Sequence, residues 1–325
     1  MVGQQEIISI FPASVRERFR KVASHAEELQ EIRLQVQCPV RIIMSGREHF
    51  LDEEGNITVL RSQTPTELER AKVWRIKEKE LDDILQYICQ YSLYAFEEEI
   101  SQGFITIPGG HRIGLAGQVI LREDGKIRNI KQIRFMNIRI SHEIIGAADP
   151  IMHHVYDGQT VRNILIIAPP GCGKTTMLRD LIRQISDGNA RAPGVQVGVV
   201  DERSEIAGSF MGIPQNNVGM RTDVMDACPK ISGMMMLVRS MAPKVVAVDE
   251  IGSREDMRAI GQILQCGSKI IATIHGESPQ DIMGRSEQKE YAMDDIFDRF
   301  VVLEKVDGHC QVRAVYGRDN KQCCN

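Results

Sequence analysis

The chain lacks a C-x-x-C pair among its eight cysteines, at 38, 89, 172, 228, 266, 310, 323 and 324, and it has no His/Cys cluster of zinc-ligand spacing. Those absences remove a structural zinc site and a thioredoxin-type motif. An excess of charge is missing as well: residues 1–150 hold 20 Lys+Arg against 22 Asp+Glu, residues 151–325 hold the same, and the total is −4. A broadly polyanion-binding protein is thereby disfavoured. Met1 to Ile10 has no basic n-region, and the longest apolar stretches are broken by Arg239 and Lys244. Neither a secretory signal nor a membrane-spanning helix is therefore expected. Internal repeats and low-complexity linkers are absent too. A soluble, cytoplasmic chain in a reducing compartment is the expectation, free to attach to a membrane partner.

At 325 residues the chain exceeds what one core usually organises, so two domains are expected. Residues 1–150 read as a mixed α/β domain. Helical spacing covers Ser14 to Ala26 and Lys79 to Tyr91, and strand-like runs cover Glu31 to Val36, Val40 to Met44, His111 to Leu121 and Ile133 to Ile140. Within this domain, residues 112–139 carry Arg112, Arg122, Lys126, Arg128, Lys131, Arg134 and Arg139 against Glu123 and Asp124, a local charge of 7 − 2 = +5. From residue 151 onward, short apolar runs alternate with helical patterns: Asn163 to Ile167, Val195 to Val200, Val245 to Val248, Ile270 to Thr273, Phe300 to Leu303 and Gln311 to Tyr316. Such runs suit a parallel sheet covered on both faces. With the glycine-rich Gly171-Cys-Gly173-Lys174-Thr175 loop shortly after the first of these runs, the expected fold class is α/β, a RecA-like P-loop ATPase domain over residues 151–325 preceded by a mixed α/β domain over residues 1–150.

The decisive motif is Ala168-Pro-Pro170-Gly171-Cys172-Gly173-Lys174-Thr175-Thr176, between an apolar run and a stretch of helical spacing. A strand, a glycine-rich loop and a helix N-terminus point successive backbone N–H groups at phosphate. Lys174 reaches the outer phosphates and the Thr175 hydroxyl ligates magnesium. Only the first glycine of the pattern is replaced, by Ala168. Cys172 lies inside this loop, where a disulfide would block the nucleotide, which again favours a reducing compartment.

Lys244-Val-Val-Ala-Val-Asp249-Glu250 places two carboxylates at the carboxyl end of a buried strand, where open α/β sheets bind ligands. Asp249 is the expected magnesium residue and Glu250 the expected water-polarising base. Val199-Val200-Asp201-Glu202-Arg203-Ser204-Glu205 is a second acidic strand end, so Glu202 is a rival base. Ala272-Thr273-Ile274-His275 offers a hydroxyl and an imidazole at a third, able to sense the γ-phosphate. Transition-state charge usually needs an arginine in addition. Candidates are Arg239 and Arg254 around the Asp249-Glu250 strand, Arg221 after the second acidic strand, and, supplied by a neighbouring copy, Arg112, Arg134 and Arg139. Six methionines at 220, 225, 234, 235, 236 and 241 suit core packing better than an adaptable interface.

The order of phosphate loop, acidic box, Arg239-Ser-Met-Ala-Pro and Thr273-Ile-His275 resembles the traffic ATPases of type II and type IV secretion. Glu31-Ile-Arg33-Leu, Tyr91-Ser-Leu-Tyr-Ala-Phe-Glu97, Gly110-His-Arg-Ile-Gly-Leu-Ala-Gly117 and Arg221-Thr-Asp-Val-Met-Asp-Ala-Cys228 look more closely like the stage III sporulation protein AA family of endospore-forming bacteria. Secretion ATPases commonly end this strand in Gly-Glu, whereas here it ends in Asp249-Glu250. The resemblance implies an ATP- and Mg²⁺-dependent hexameric motor on the mother-cell side of the septal membrane, powering a secretion-like channel alongside proteins of the sporulation stage III operon. ATP over GTP is implied by the resemblance alone, since no residue of the sequence can be assigned to a base pocket.

Two other readings compete. Chloroplast relatives of this ATPase domain carry a single-strand-binding module with an Arg-x-x-x-His core. No histidine here has arginine four residues before it, so nucleic acid is not an expected partner. An ATP-binding scaffold switch with little turnover is separated only poorly from a motor by sequence.

Overall fold

The computed structural model describes residues 3–59, 72–125, 127–284, 293–306 and 309–323; Lys126 of the basic stretch and Cys324 lie outside them. The chain divides into two compact units, Met1–His142 and Glu143–Asn325. This division comes eight residues before the expected 150/151 boundary. The reason is local: the Asn217 backbone N–H donates to Glu143 Oε1 at 2.6 Å and the Ala148 N–H to Asp180 Oδ2 at 2.8 Å, so this connector packs with the second unit.

In the first unit the described strands are β1 (Leu29–Gln35), β2 (Arg41–Met44), β3 (Arg47–Leu51), β4 (Ile57–Thr58), β5 (Phe104–Ile107), β6 (His111–Leu121) and β7 (Ile127–Arg139). They form one antiparallel sheet in the order β4-β3-β2-β1-β7-β6-β5. Ile32 and Leu34 alternate onto a buried face, which Leu29 joins across an irregularity between Leu29 and Glu31, as expected for a sheet covered on one side. Phe11 and Phe19 stack at 3.6 Å between ring centroids, and Trp74 meets Phe19 edge-on at 5.4 Å. The expected helix over 14–26 is instead three short turns, Ala13–Arg16, Glu17–Phe19 and Arg20–Ala23.

In the second unit a small pair, β8 (Tyr156–Asp157) and β9 (Thr160–Val161), leads into β10 (Ile164–Ala168), β11 (Val197–Asp201), β12 (Thr222–Asp226), β13 (Val245–Val248), β14 (Lys269–His275), β15 (Arg299–Val306) and β16 (His309–Gly317). The main sheet runs β12-β11-β13-β14-β10-β15-β16, parallel except for the antiparallel edge strand β16. Both faces of its central strands are buried, which is why those strands read as continuous apolar runs. Ile164 and Ile166 pack with Leu178, Leu181 and Ile182 of the helix Lys174–Asp187. Leu165 and Ile167 face Met257, Ile260 and Ile263 of the helix Arg254–Gln265 on the other side. Each such side chain contributes about 1.5–3 kcal/mol of apolar transfer.

Of the six methionines, Met234 is fully buried in this core, whereas Met220, Met236 and Met241 are exposed. No helix of the described residues is long and apolar enough to cross a membrane.

The helix Lys230–Ser240 lies unusually close to β11. A Cβ at Gly233 would sit 2.6 Å from Val200 Cγ1 and 3.2 Å from Cys228 Sγ. Alanine normally favours a helix, but here the added methyl overpacks the sheet. Gly233→Ala should lower unfolding free energy by about 1–3 kcal/mol in a urea titration. An unchanged or higher midpoint would show that the helix can move outward at no cost.

Candidate functional site

Three parallel strands set the level of the site. Register places Ala168 of β10 opposite His275 of β14, and Val248 of β13 opposite Ala272. The residues that follow β10 and β13 therefore open beside the end of β14. Gly171 (φ +71°) and Gly173 (φ +75°) turn the loop through the left-handed region, which a side chain resists. The loop ends at the first turn of Lys174–Asp187, where unpaired N–H groups face the sheet edge.

Lys174 Nζ donates to the Ala168 and Pro169 carbonyls at 3.2 and 3.3 Å and lies 2.8 Å from His275 Nδ1. An ammonium has no acceptor, so Nδ1 must accept and the imidazole proton sits on Nε2. That Nε2 is 3.3 Å from Glu250 Oε1. The result is a directed chain from Lys174 through His275 to Glu250. Burial pulls the Lys174 ammonium below its ordinary pKa, while Asp249 and Glu250 oppose the shift.

Asp249 is held on both oxygens. The Thr175 hydroxyl donates to Oδ2 at 3.1 Å and the Thr273 hydroxyl to Oδ1 at 2.6 Å. Thr273 also accepts the Glu250 backbone N–H at 2.9 Å. The expectation that the Thr273 hydroxyl senses a γ-phosphate is thereby corrected: it is fully buried and braces the acidic strand end instead. The Thr175 and Asp249 oxygens, one at a helix start and one at a strand end, fit a magnesium site completed by phosphate and water oxygens. Among the described residues no group of three or more His, Cys, Asp or Glu has metal-binding spacing, and a phosphate-borne Mg²⁺ does not require one.

Beside this centre is a cavity of about 250 Å³ whose lining includes Glu202, Arg203, Lys230, Asp249, Glu250 and Asp256. The two rival bases thus share one cavity. Glu250 meets Arg203 Nη1 at 3.8 Å, and Glu202 meets Lys230 Nζ at 3.9 Å.

The arginines separate by position. Arg239 lies nine residues along the helix whose first residue, Lys230, touches the cavity. At 1.5 Å per residue that is about 13 Å toward the opposite sheet edge. Arg221 is also on that far side, donating to the Ser186 and Asp187 carbonyls at the end of the phosphate-loop helix. Neither can serve the site of its own chain. Arg254 opens the helix Arg254–Gln265 on the near edge. In the first unit, Arg134 is engaged by Glu78 and by Asp82 at 3.6 Å, and Arg112 covers the Phe104 ring at 3.6 Å. Arg139 is exposed, opposite Arg112 across the β6–β7 ladder.

The residue missed from sequence is Lys230. Its signal was a cation at the first helical position after Pro229, against the helix dipole.

The profile of the family described as sporulation stage III, protein AA matches residues 1–323. The chain belongs to that family. It is 38% identical to stage III sporulation protein AA of Bacillus subtilis (strain 168) over 315 residues, covering 97% of this chain and 95% of that one. Among solved structures, the pilus retraction motor PilT with bound ADP matches at a TM-score of 0.59 and 14% identity, over 91% of this chain and 81% of that one. The Legionella pneumophila ATPase DotB matches at 0.57 and 16%, over 92% and 81%. At such identities the likeness shows the fold, a RecA-like P-loop architecture with a mixed α/β unit before it. This member of the sporulation stage III protein AA family therefore has the fold of traffic ATPases.

Asp201, at the end of β11, is buried and accepts the Glu205, Ile206 and Ala207 N–H groups at 2.8, 3.0 and 2.8 Å, shaping the acidic box. Burial pushes its carboxyl from 3.8 up to about 6 in spite of these donors. Because the folded chain then holds the proton more tightly than the unfolded one, this contribution to stability is full below about pH 3.8 and is lost as pH rises through about 6. The thermal midpoint of the parent chain should accordingly fall relative to that of Asp201→Asn between pH 4 and 6. A parallel pair of midpoint curves would show that Asp201 is ionised throughout.

Proposed function

We propose that this chain is a magnesium-dependent ATP hydrolase that works as a homo-oligomeric motor. The observation that carries the reading is the convergence of Lys174, His275 and Glu250 beside the Thr175–Asp249 pair. The N–H groups of the 171–175 loop and the helix start bind the phosphates. Lys174 neutralises the outer ones, and Thr175 and Asp249 hold magnesium. An ion held by these two oxygens would offset negative charge on the phosphates. Glu250, oriented by His275, polarises the attacking water. Glu202 is the second carboxylate of the cavity and the rival base, 3.9 Å from Lys230 Nζ and without the imidazole contact that Glu250 has. Arg254 is the near-edge candidate for transition-state charge.

With Arg239 and Arg221 turned away, transition-state charge is left to Arg203 and Arg254 of the same chain and to an arginine from a neighbouring copy. Arg112 and Arg139 are the proposed donors from the first unit, with Arg134 less suited because two carboxylates already hold it. By kinship with a stage III sporulation protein and the fold shared with a pilus retraction motor, we assign the assembly, a hexamer by this reading, to the mother-cell cytoplasm. It would act on membrane channel proteins of the sporulation stage III operon.

The test is Mg²⁺-dependent ATP turnover as a function of protein concentration. Glu250→Gln should lower kcat by about a hundredfold or more with nucleotide still bound. Turnover per chain should rise with concentration and fall in Arg112→Ala or Arg139→Ala. Concentration-independent turnover would place every catalytic group in one chain, and tight binding without turnover would make the protein a nucleotide-dependent scaffold.

A further inference from the structure

Glu250 has a backbone unlike that of an ordinary strand end. Its φ is +39°, in the left-handed region that glutamate seldom adopts. Such a conformation persists only where its surroundings hold it. On the amide side the holders are Thr273 Oγ1 at 2.9 Å and Asp249 Oδ1 at 3.0 Å. On the carbonyl side the bond comes from outside the strand: Lys230 Nζ donates to Glu250 O at 2.5 Å. The same ammonium lies 3.7 Å from Asp256 Oδ2 and 3.9 Å from Glu202 Oε2, with its side chain only 14% exposed. Asp256 in turn accepts the Gly252 and Ser253 N–H groups at 3.0 Å, so the lysine is anchored to the whole loop after β13.

A lysine at a helix N-terminus opposes the dipole and gives up water to be there. Its three contacts offset that cost, and they share one geometric effect. They pin the peptide after Glu250 and set an ammonium 3.9 Å from Glu202, while the Glu250 carboxylate meets His275 and Arg203. From this we infer that Lys230 is a positioning residue that selects Glu250 over Glu202 as the water-polarising carboxylate. It acts through the backbone of Glu250. The inference rests on the hydrolase reading above.

The experiment compares the full chain with Lys230→Met, Lys230→Arg, Glu250→Gln and the Lys230→Met/Glu250→Gln pair. It measures kcat, the Kd of a fluorescent ATP analogue, the thermal midpoint and the crystallographic φ of residue 250. Lys230→Met should lower kcat about tenfold or more while Kd changes less than about twofold, because a displacement on the order of 1 Å at the reacting group costs rate without costing binding. Lys230→Arg should recover part of the loss. In the Glu250→Gln background the methionine should change residual turnover less than about twofold, as expected of a residue acting only through Glu250. In the Lys230→Met crystal structure, residue 250 should leave the left-handed region. An equal loss in both backgrounds, or a lowered thermal midpoint with kcat intact, would overturn the assignment. Should the parent chain show no turnover above Glu250→Gln, the hydrolase reading fails by itself. The φ of residue 250 in Lys230→Met then decides the positioning role, a retained positive φ overturning it.

Discussion

The carboxylate of Asp249 is the point on which the second unit turns. One oxygen accepts the Thr175 hydroxyl from the phosphate-loop helix, and the other accepts the Thr273 hydroxyl from the neighbouring strand and its own chain's next N–H. Three elements are thus registered against one side chain. Charge-assisted bonds of this kind contribute about 1.5–3 kcal/mol each. Their larger effect is geometric, because the loop, the acidic strand end and the β14 end cannot drift apart independently.

That registration depends on the parallel sheet beneath it. A parallel ladder aligns strand ends on one edge, so residues distant in sequence, such as Ala168 and His275, become neighbours. The helices that bury both faces supply the remaining parts. The phosphate-loop helix contributes Lys174 and Thr175, and the helix Lys230–Ser240 brings Lys230 to the same edge because Gly233 lets it lie close on Val200. Electrostatics then divides the carboxylates: Asp249 is tied by hydroxyls, Glu202 and Asp256 face a lysine, and Glu250 faces an imidazole whose tautomer is set by Lys174.

Legibility followed burial. The central strands β10, β11, β13, β14 and β15 could be read from apolar runs because both their faces are covered. Strand β12, Thr-Asp-Val-Met-Asp, could not, since it is an edge strand with every residue partly exposed and two aspartates of low strand propensity. Strand β7 begins six residues before the apolar run that announced it, because its outer half, Ile127 to Gln132, is exposed or partly exposed and has only Ile127 and Ile130 among polar residues, paired with Leu121 and Val119 of β6. The helix expected over 14–26 broke into short turns, since its apolar residues pack around Phe11, Phe19 and Trp74 and not along one stripe.

The phosphate loop, the two acidic strand ends and the histidine strand end were determined by sequence alone, because their chemistry needs contiguous residues whose local structure is dictated by glycine, apolar runs and helix starts. Family membership likewise follows from motifs spread along the chain. The tertiary structure alone decided how those pieces address one another. It turned Thr273 from a phosphate sensor into a brace for Asp249, sent Arg239 and Arg221 to the far edge, and brought Lys230 under Glu250. The physical reason is that orientation around a helix and position along a parallel sheet come from packing between elements far apart in sequence, and a residue's type does not state which edge of the sheet it will reach.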